Sequence, residues 1–212
     1  MIDHGGSYGV VLFGVAARDL LLVAQGITAD QWDRPGTNEW TVRELAAHAS
    51  RALTTAESKL DPASLPPQGG RATLASAADY YRHVMTLPDL DAGVEQRGRD
   101  EAALIGEDTA QHIGHLVDRV LPAVDAAPLD TLVDAFGETM RFGDYLHTRT
   151  VELVVHTDDL CCAVGRPSVA DGELVRATAA ALVGMLDADD IVVVRALLGR
   201  APLAGYNLFR PG

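Results

Sequence analysis

The eleven residues from Arg149 to Asp159, RTVELVVHTDD, constrain the fold more than any other part of the chain. Arg149, Glu152, His156 and Asp159 follow one another at spacings of three, four and three, and residues so spaced share one face of a helix. Val151 and Val155 flank that stripe on one side, Leu153 and Leu160 on the other. A helix facing water carries polar residues over a wide arc. A narrow charged stripe between apolar flanks therefore predicts a helix whose charges turn into the protein. Charges taken out of water must be paired or bound to a metal. Glu152 and His156, a carboxylate and an imidazole at i and i+4, are a ready pair of metal ligands.

Helical periodicity recurs along the rest of the chain, and period-two alternation is scarce. A first helix is expected over Tyr8–Gln25, closed by Gly26. After a loop over Asp33–Glu39, Thr41 and Glu44 match a capping box opening a second helix, with Val42, Leu45, Ala46, Ala49, Leu53 and Ala56 as its apolar face. Asp61–Arg71 (DPASLPPQGGR) reads as a linker. Further helices are expected over Thr73–Met85, with a turn at Pro88, and over Asp100–Val120, stopped near Pro122. Ala126–Asp134 reads as a loop or short helix. The stripe helix is expected to start at Glu138 or Asp144 and to run to Ala163, ended by Gly165 and Pro167. Shorter helices over Glu173–Leu186 and Asp189–Leu198 precede an irregular tail, with Ile191–Val194 as an alternative strand. Four long helices with a long crossover predict a bundle, and bundle cores commonly house metal sites between facing helices.

At 212 residues and 48% apolar content the chain fits one domain with a small appendage. A net charge of −13 argues against nucleic acid or an anionic membrane as partner. Lys59 is the sole lysine beside sixteen arginines. The two cysteines, Cys161 and Cys162, are adjacent, which excludes a disulfide framework. No leader pattern opens the chain, and Arg18 and Asp19 interrupt the apolar Val10–Val23 stretch, so a cytoplasmic protein is the expectation.

A metal needs a third ligand. His48 lies at the edge of the second helix's apolar arc, beside Leu45 and Ala52. From helix position alone it reads either as an inward-aimed ligand or as a core-edge histidine bonded to a carbonyl or water. NEWTVRELAAHAS (Asn38–Ser50), followed about a hundred residues later by RTVELVVHTDDLCCAVG (Arg149–Gly165), resembles the mycothiol-dependent maleylpyruvate isomerase family, of the DinB/YfiT-like superfamily. The resemblance covers roughly residues 5–165, and the tail LLGRAPLAGYNLF is similar to the ends of related chains. It implies an all-α fold, a DinB-like four-helix bundle over 1–165, with a short, mainly helical appendage over 166–212. It further implies a divalent metal, most often zinc, held by His48, Glu152 and His156. The implied chemistry presents mycothiol or a similar small thiol to an electrophile as a metal-bound thiolate, in isomerisation or S-transfer. Arg149 and Asp159 are the neighbouring candidates. Asp159 would orient a ligand imidazole, and Arg149 would pair with Glu152 or a substrate carboxylate; a plain intrahelical ion pair accounts for either equally well. Maleylpyruvate isomerase itself carries a further substantial C-terminal domain, for which 166–212 is short.

Other residues imitate sites. His112 and His115, at i and i+3, and His147, off the stripe, read as structural, and His4 and His83 lack identifiable partners. Cys161 and Cys162 point roughly 140° and 120° away from His156 at about 100° per residue. Trp32 and Trp40 read as anchors of the loop before the second helix. Gly69-Gly70 lacks the context of a phosphate loop. Two rival readings stand beside a thiol-using enzyme: a non-catalytic helical binding or regulatory module, and a hydrolase using metal-bound water. An acidic, apolar-rich bundle is also compatible with a homodimer.

Overall fold

Apolar residues at helical spacing become packed helices through most of the chain. The computed structural model describes residues 4–208, apart from Asn38, Asp89, Ala188, Asp189, Ala204, Gly205 and Asn207. Helix α1 spans His4–Gln25 and buries Leu12, Phe13, Ala16, Ala17, Leu20, Val23 and Ala24, an i, i+3/i+4 stripe. Its Tyr8–Gln25 portion is long and apolar enough to cross a membrane by length and composition, and half of that window is buried inside the protein. Helix α2 (Val42–Ser58) begins with the expected capping box: Glu44 N–H donates to Thr41 Oγ1 (3.2 Å) and Thr41 N–H to Glu44 Oε2 (2.7 Å). All six residues of its anticipated apolar face are buried.

Helices α3 (Ala77–Val84), α4 (Leu90–Ile105) and α5 (Thr109–Asp125) follow, then strands β1 (Leu132–Ala135) and β2 (Glu138–Arg141). The stripe helix is α6 (Phe142–Ala163), and α7 (Gly172–Val183) and α8 (Ile191–Leu197) complete the described chain. The long helices pack pairwise: α1 lies against α5 and α6, and α2 against the same two. Helix α4 lies along α2, and α7 along α6. Leu20, Leu45, Leu53, Ile113, Leu146, Leu153 and Leu160 meet in the shared core with no exposed surface. Each such side chain contributes about 1.5–3 kcal/mol on burial.

The structure departs from the sequence expectations at definite points. The protein is mainly rather than purely α, because residues 132–141 form an antiparallel hairpin in the register Leu132↔Arg141 to Ala135↔Glu138. Its two-residue turn, Phe136-Gly137, has φ of +56° and +85°. Both signs are those of a type I′ turn, for which Asn-Gly is the usual pair. Phenylalanine in that conformation costs about 1–2 kcal/mol. The segment expected to begin the third helix is extended at its start instead: Thr73 and Leu74 donate to Thr139 O (2.9 and 3.0 Å), and α3 starts only after the Ser76 cap. Gly106, at φ +69°, divides the helix expected over Asp100–Val120, so α4 ends before it and α5 begins after it. Pro122 does not stop α5 but lies within its last turn, where the bond it cannot donate is a local loss. Ile191–Val194 is helical. The linker Asp61–Arg71 is irregular apart from a 3₁₀ turn at Pro62–Ser64.

Thr41→Ala removes one half of the capping box. It is expected to lower stability by about 1 kcal/mol, read as a lower urea midpoint at unchanged slope.

Candidate metal centre

Helices α2 and α6 face each other across one stretch of core, and this contact joins residues about a hundred positions apart. His48 on α2 and Glu152 and His156 on α6 each offer a ligand atom, and these atoms all lie within 4.8 Å of one another. His156 Nε2 and Glu152 Oε2 are 3.4 Å apart. Two ligands at about 2.0–2.1 Å from a tetrahedral ion are separated by roughly 3.3–3.4 Å, so this pair already has the spacing of a coordination edge. On the other side of the ring, His156 Nδ1 lies 3.2 Å from Asp159 Oδ2. That carboxylate holds the ring so that Nε2 faces Glu152. His48 Nδ1 is buried with no hydrogen-bond partner among the described residues, and the ring meets His156 edge-on at 4.8 Å between centroids. A half-buried imidazole beside a carboxylate and a second imidazole fits a divalent cation of the zinc type.

The supports of this trio are aromatic. Trp40 stacks on His48 with centroids 4.5 Å apart. Trp40 is in turn held by α4, because a Cβ built on Gly98 would sit 3.1 Å from its ring, a close approach that glycine permits. Tyr81 Oη donates to Glu152 Oε1 at 2.9 Å and lies 3.1 Å from Thr148 O. Arg149 does not ion-pair directly with Glu152. Its guanidinium lies against the rings of Tyr80 (5.4 Å) and Tyr145 (5.1 Å) and donates to Tyr80 Oη (3.0 Å) and Thr148 Oγ1 (3.0 Å).

Burial by itself would raise the Glu152 carboxyl. The hydrogen bond from His156 and the charge of Arg149 overcome that penalty and bring it down to about 2. Burial would lower His156, yet its bonds to Asp159 and Glu152 hold it up at about 9. Burial, reinforced by the nearby His156, pushes His48 down to about 4. At neutral pH the metal-free trio is therefore one carboxylate, one imidazolium and one neutral imidazole. Burial also lifts the phenols of Tyr80, to about 12, and Tyr81, so both remain protonated donors.

The trio opens on a cavity of about 450 Å³. Arg51, Lys59, Arg97 and Arg149 line it against two carboxylates, Asp134 and Glu152, so this pocket is cationic within a chain of net charge −13. Arg51 is paired with Glu101 (3.2 Å) and Lys59 with Asp134 (3.8 Å), while Arg97 has no ion-pair partner among the described residues. Tyr80, Tyr81, Tyr145 and the hairpin residue Phe136 supply its aromatic surface. Sequence reasoning missed these residues, since they come from α3, the hairpin and the first turn of α6, and no spacing links them. Trp40 was assigned to anchoring a loop. It does pack there, 4% exposed, but it also braces His48.

The remaining candidates fall elsewhere. His112 and His115 lie on α5, outside the cavity, with His115 exposed and His112 Nε2 buried without a partner. His147 is exposed and lines a different cavity. His83 has a partner after all, with Nε2 3.1 Å from Phe136 O. The side chain of His4 lies outside the described residues. Cys161 is buried, with its thiol pushed up by burial, and Cys162 is exposed; neither lines the cavity.

The family model of the mycothiol maleylpyruvate isomerase N-terminal domain matches residues 13–161. The chain belongs to that family. Comparison with curated proteins and with solved structures returned no match. The span shared with the mycothiol maleylpyruvate isomerase N-terminal domain includes His48, Arg149, Glu152, His156 and Asp159 and ends before α7.

The charge states fix a proton count for metal uptake. Glu152 is already ionised and His48 already neutral at pH 7.5, so His156 alone must give up a proton. Calorimetric titration with Zn²⁺ in buffers of different ionisation enthalpy is expected to report release of about one proton per ion. Affinity should rise with pH through the neutral range, because the bonds from Asp159 and Glu152 keep His156 protonated there.

Proposed function

We propose that this protein is a divalent-metal enzyme that uses a small thiol of the mycothiol type in S-transfer or isomerisation. The observation that carries the reading is the convergence of His48, Glu152 and His156, with ligand atoms within 4.8 Å of one another, on the wall of a cavity. Structural zinc sites are closed by four protein ligands, whereas catalytic ones have three and keep a position open. Two imidazoles and a carboxylate beside about 450 Å³ of space match the second kind, which favours an enzyme over a binding module with a structural metal.

A bound divalent ion, zinc by the ligand types, would act as a Lewis acid that lowers the pKa of a thiol and favours its thiolate. The rest belongs to the chain. Asp159 holds the His156 ring with Nε2 toward Glu152, Tyr81 holds one oxygen of Glu152 and leaves the other for coordination, and Trp40 sets the plane of His48. Arg149 and Arg97 supply positive charge for an anionic thiol and for a carboxylate on the electrophile. The tyrosine rings exclude water from that charge and strengthen it. In this reading α1, α2, α5 and α6 are the four helices of a DinB-like bundle over 1–165. Residues 166–212 are an appendage that α7 seats on α6.

Protein purified without a histidine tag is expected to carry about one zinc or other divalent ion per chain. His48→Ala and His156→Ala should each lose it by elemental analysis. Asp159→Ala should keep the fold and bind the metal about 10–100-fold more weakly. Metal-loaded protein should speed the S-alkylation of mycothiol by monobromobimane, with loss of bromide, above the uncatalysed rate, and the ligand variants should not. Metal retained by His48→Ala would refute the ligand set. Ester hydrolysis at full rate without any thiol would move the reading to a hydrolase.

A further inference from the structure

Phe136 is placed at odds with every rule that would account for it structurally. It occupies the first turn position of the β1–β2 hairpin at φ +56°, where asparagine is the low-cost residue. Among the described residues it is the non-glycine residue with positive φ. Its side chain is not burying core surface, for it stays 51% exposed. A backbone conformation that disfavours phenylalanine, holding a ring that is half in water, points to a use for the ring itself.

The ring's surroundings identify that use. Phe136 lines the same cavity as His48, Glu152 and His156. Its ring lies 6.1 Å from that of Tyr80, which lies 6.1 Å edge-on from Tyr145. Tyr80 and Tyr145, each 4% exposed, back the half-exposed Phe136 ring, and the Arg149 guanidinium lies against both tyrosines. The hairpin tip is held firmly: His83 Nε2 lies 3.1 Å from Phe136 O, Gly137 N–H donates to Asp134 Oδ1 (3.1 Å), and Lys59 pairs with Asp134. Strand β2 is tied down by Thr73.

We propose that Phe136, backed by Tyr80 and Tyr145, selects the electrophilic substrate, and that its exposed ring takes a planar aromatic or conjugated group. Offset and edge-to-face contacts with such a group add binding beyond the area buried, which a saturated group of equal size does not gain. The proposal rests on the cavity being the substrate pocket of the enzyme proposed above and adds the class of molecule that enters it.

The test uses two carboxylates of similar size, trans-cinnamate and trans-3-cyclohexylacrylate, titrated calorimetrically into zinc-loaded and metal-free protein. Both present the same carboxylate to the arginines and to any metal, so their ratio isolates the ring. Wild-type protein is expected to bind cinnamate about three- to tenfold more tightly. Phe136→Asn should abolish that preference while melting no lower than wild type, because Asn-Gly suits the turn better. Phe136→Leu, apolar but not aromatic, should also lose it. Equal binding of the two probes by wild type, no binding of either, or an undiminished preference in Phe136→Asn overturns the proposal. So does a clear loss of thermal stability in Phe136→Asn, which would make Phe136 a packing residue. Metal content of the same preparations separately decides the ligand reading, and a cinnamate preference kept without metal would leave the role of Phe136 standing alone.

Discussion

The packing of α6 against α2 brings a run of charges on α6 into a half-buried seam, and most of the site follows from how those charges are satisfied. Glu152 receives a hydrogen bond from Tyr81 and faces His156 at 3.4 Å. His156 faces Asp159 on its other nitrogen. Arg149 lies against two tyrosine rings. Removing any one member leaves a neighbour partly desolvated and uncompensated, a penalty of several kcal/mol for a buried ion. The exception within the seam is His48, whose Nδ1 has no partner among the described residues and whose ring is kept neutral by burial. An unpartnered ring nitrogen beside a carboxylate and a second imidazole is chemically suited to a cation.

The seam is also organised against water. Trp40 covers one face of His48, Tyr80 and Tyr145 cover Arg149, and α4 reaches Trp40 through Gly98. A guanidinium set against two aromatic rings keeps its charge with little hydration, so its field acts over the cavity at low effective dielectric. The resulting pocket is cationic although the protein as a whole is strongly acidic. Net charge therefore describes the outer surface of this molecule and says little about what its cavity attracts.

Much of the fold was legible because it depends on local pattern. The Thr41–Glu44 capping box, the apolar face of α2 and the extent of α6 to Ala163 each follow from residues within a few turns of one another. The hairpin was hidden because its strands have four residues each and its turn uses Phe-Gly in place of Asn-Gly. The division at Gly106 was equally hidden, since one glycine in a helical pattern has several outcomes that only packing separates. Pro122 shows the converse: a residue that reads as a stop is tolerated where the helix is about to end.

For the site, the sequence by itself determined which residue types stand one turn apart on one helix, and so placed Glu152, His156, Asp159 and Arg149 on a common stripe. It also supplied His48 in a motif shared with a family to which the chain belongs. Tertiary structure alone decided that His48 meets the pair, that Arg149 binds tyrosines rather than Glu152, and that Tyr80, Tyr145 and Phe136 line one cavity. The reason is the range of the forces involved. Helix periodicity fixes neighbours three or four residues apart, whereas contacts between α2, α3, the hairpin and α6 are set by how whole apolar faces pack, which no short spacing records.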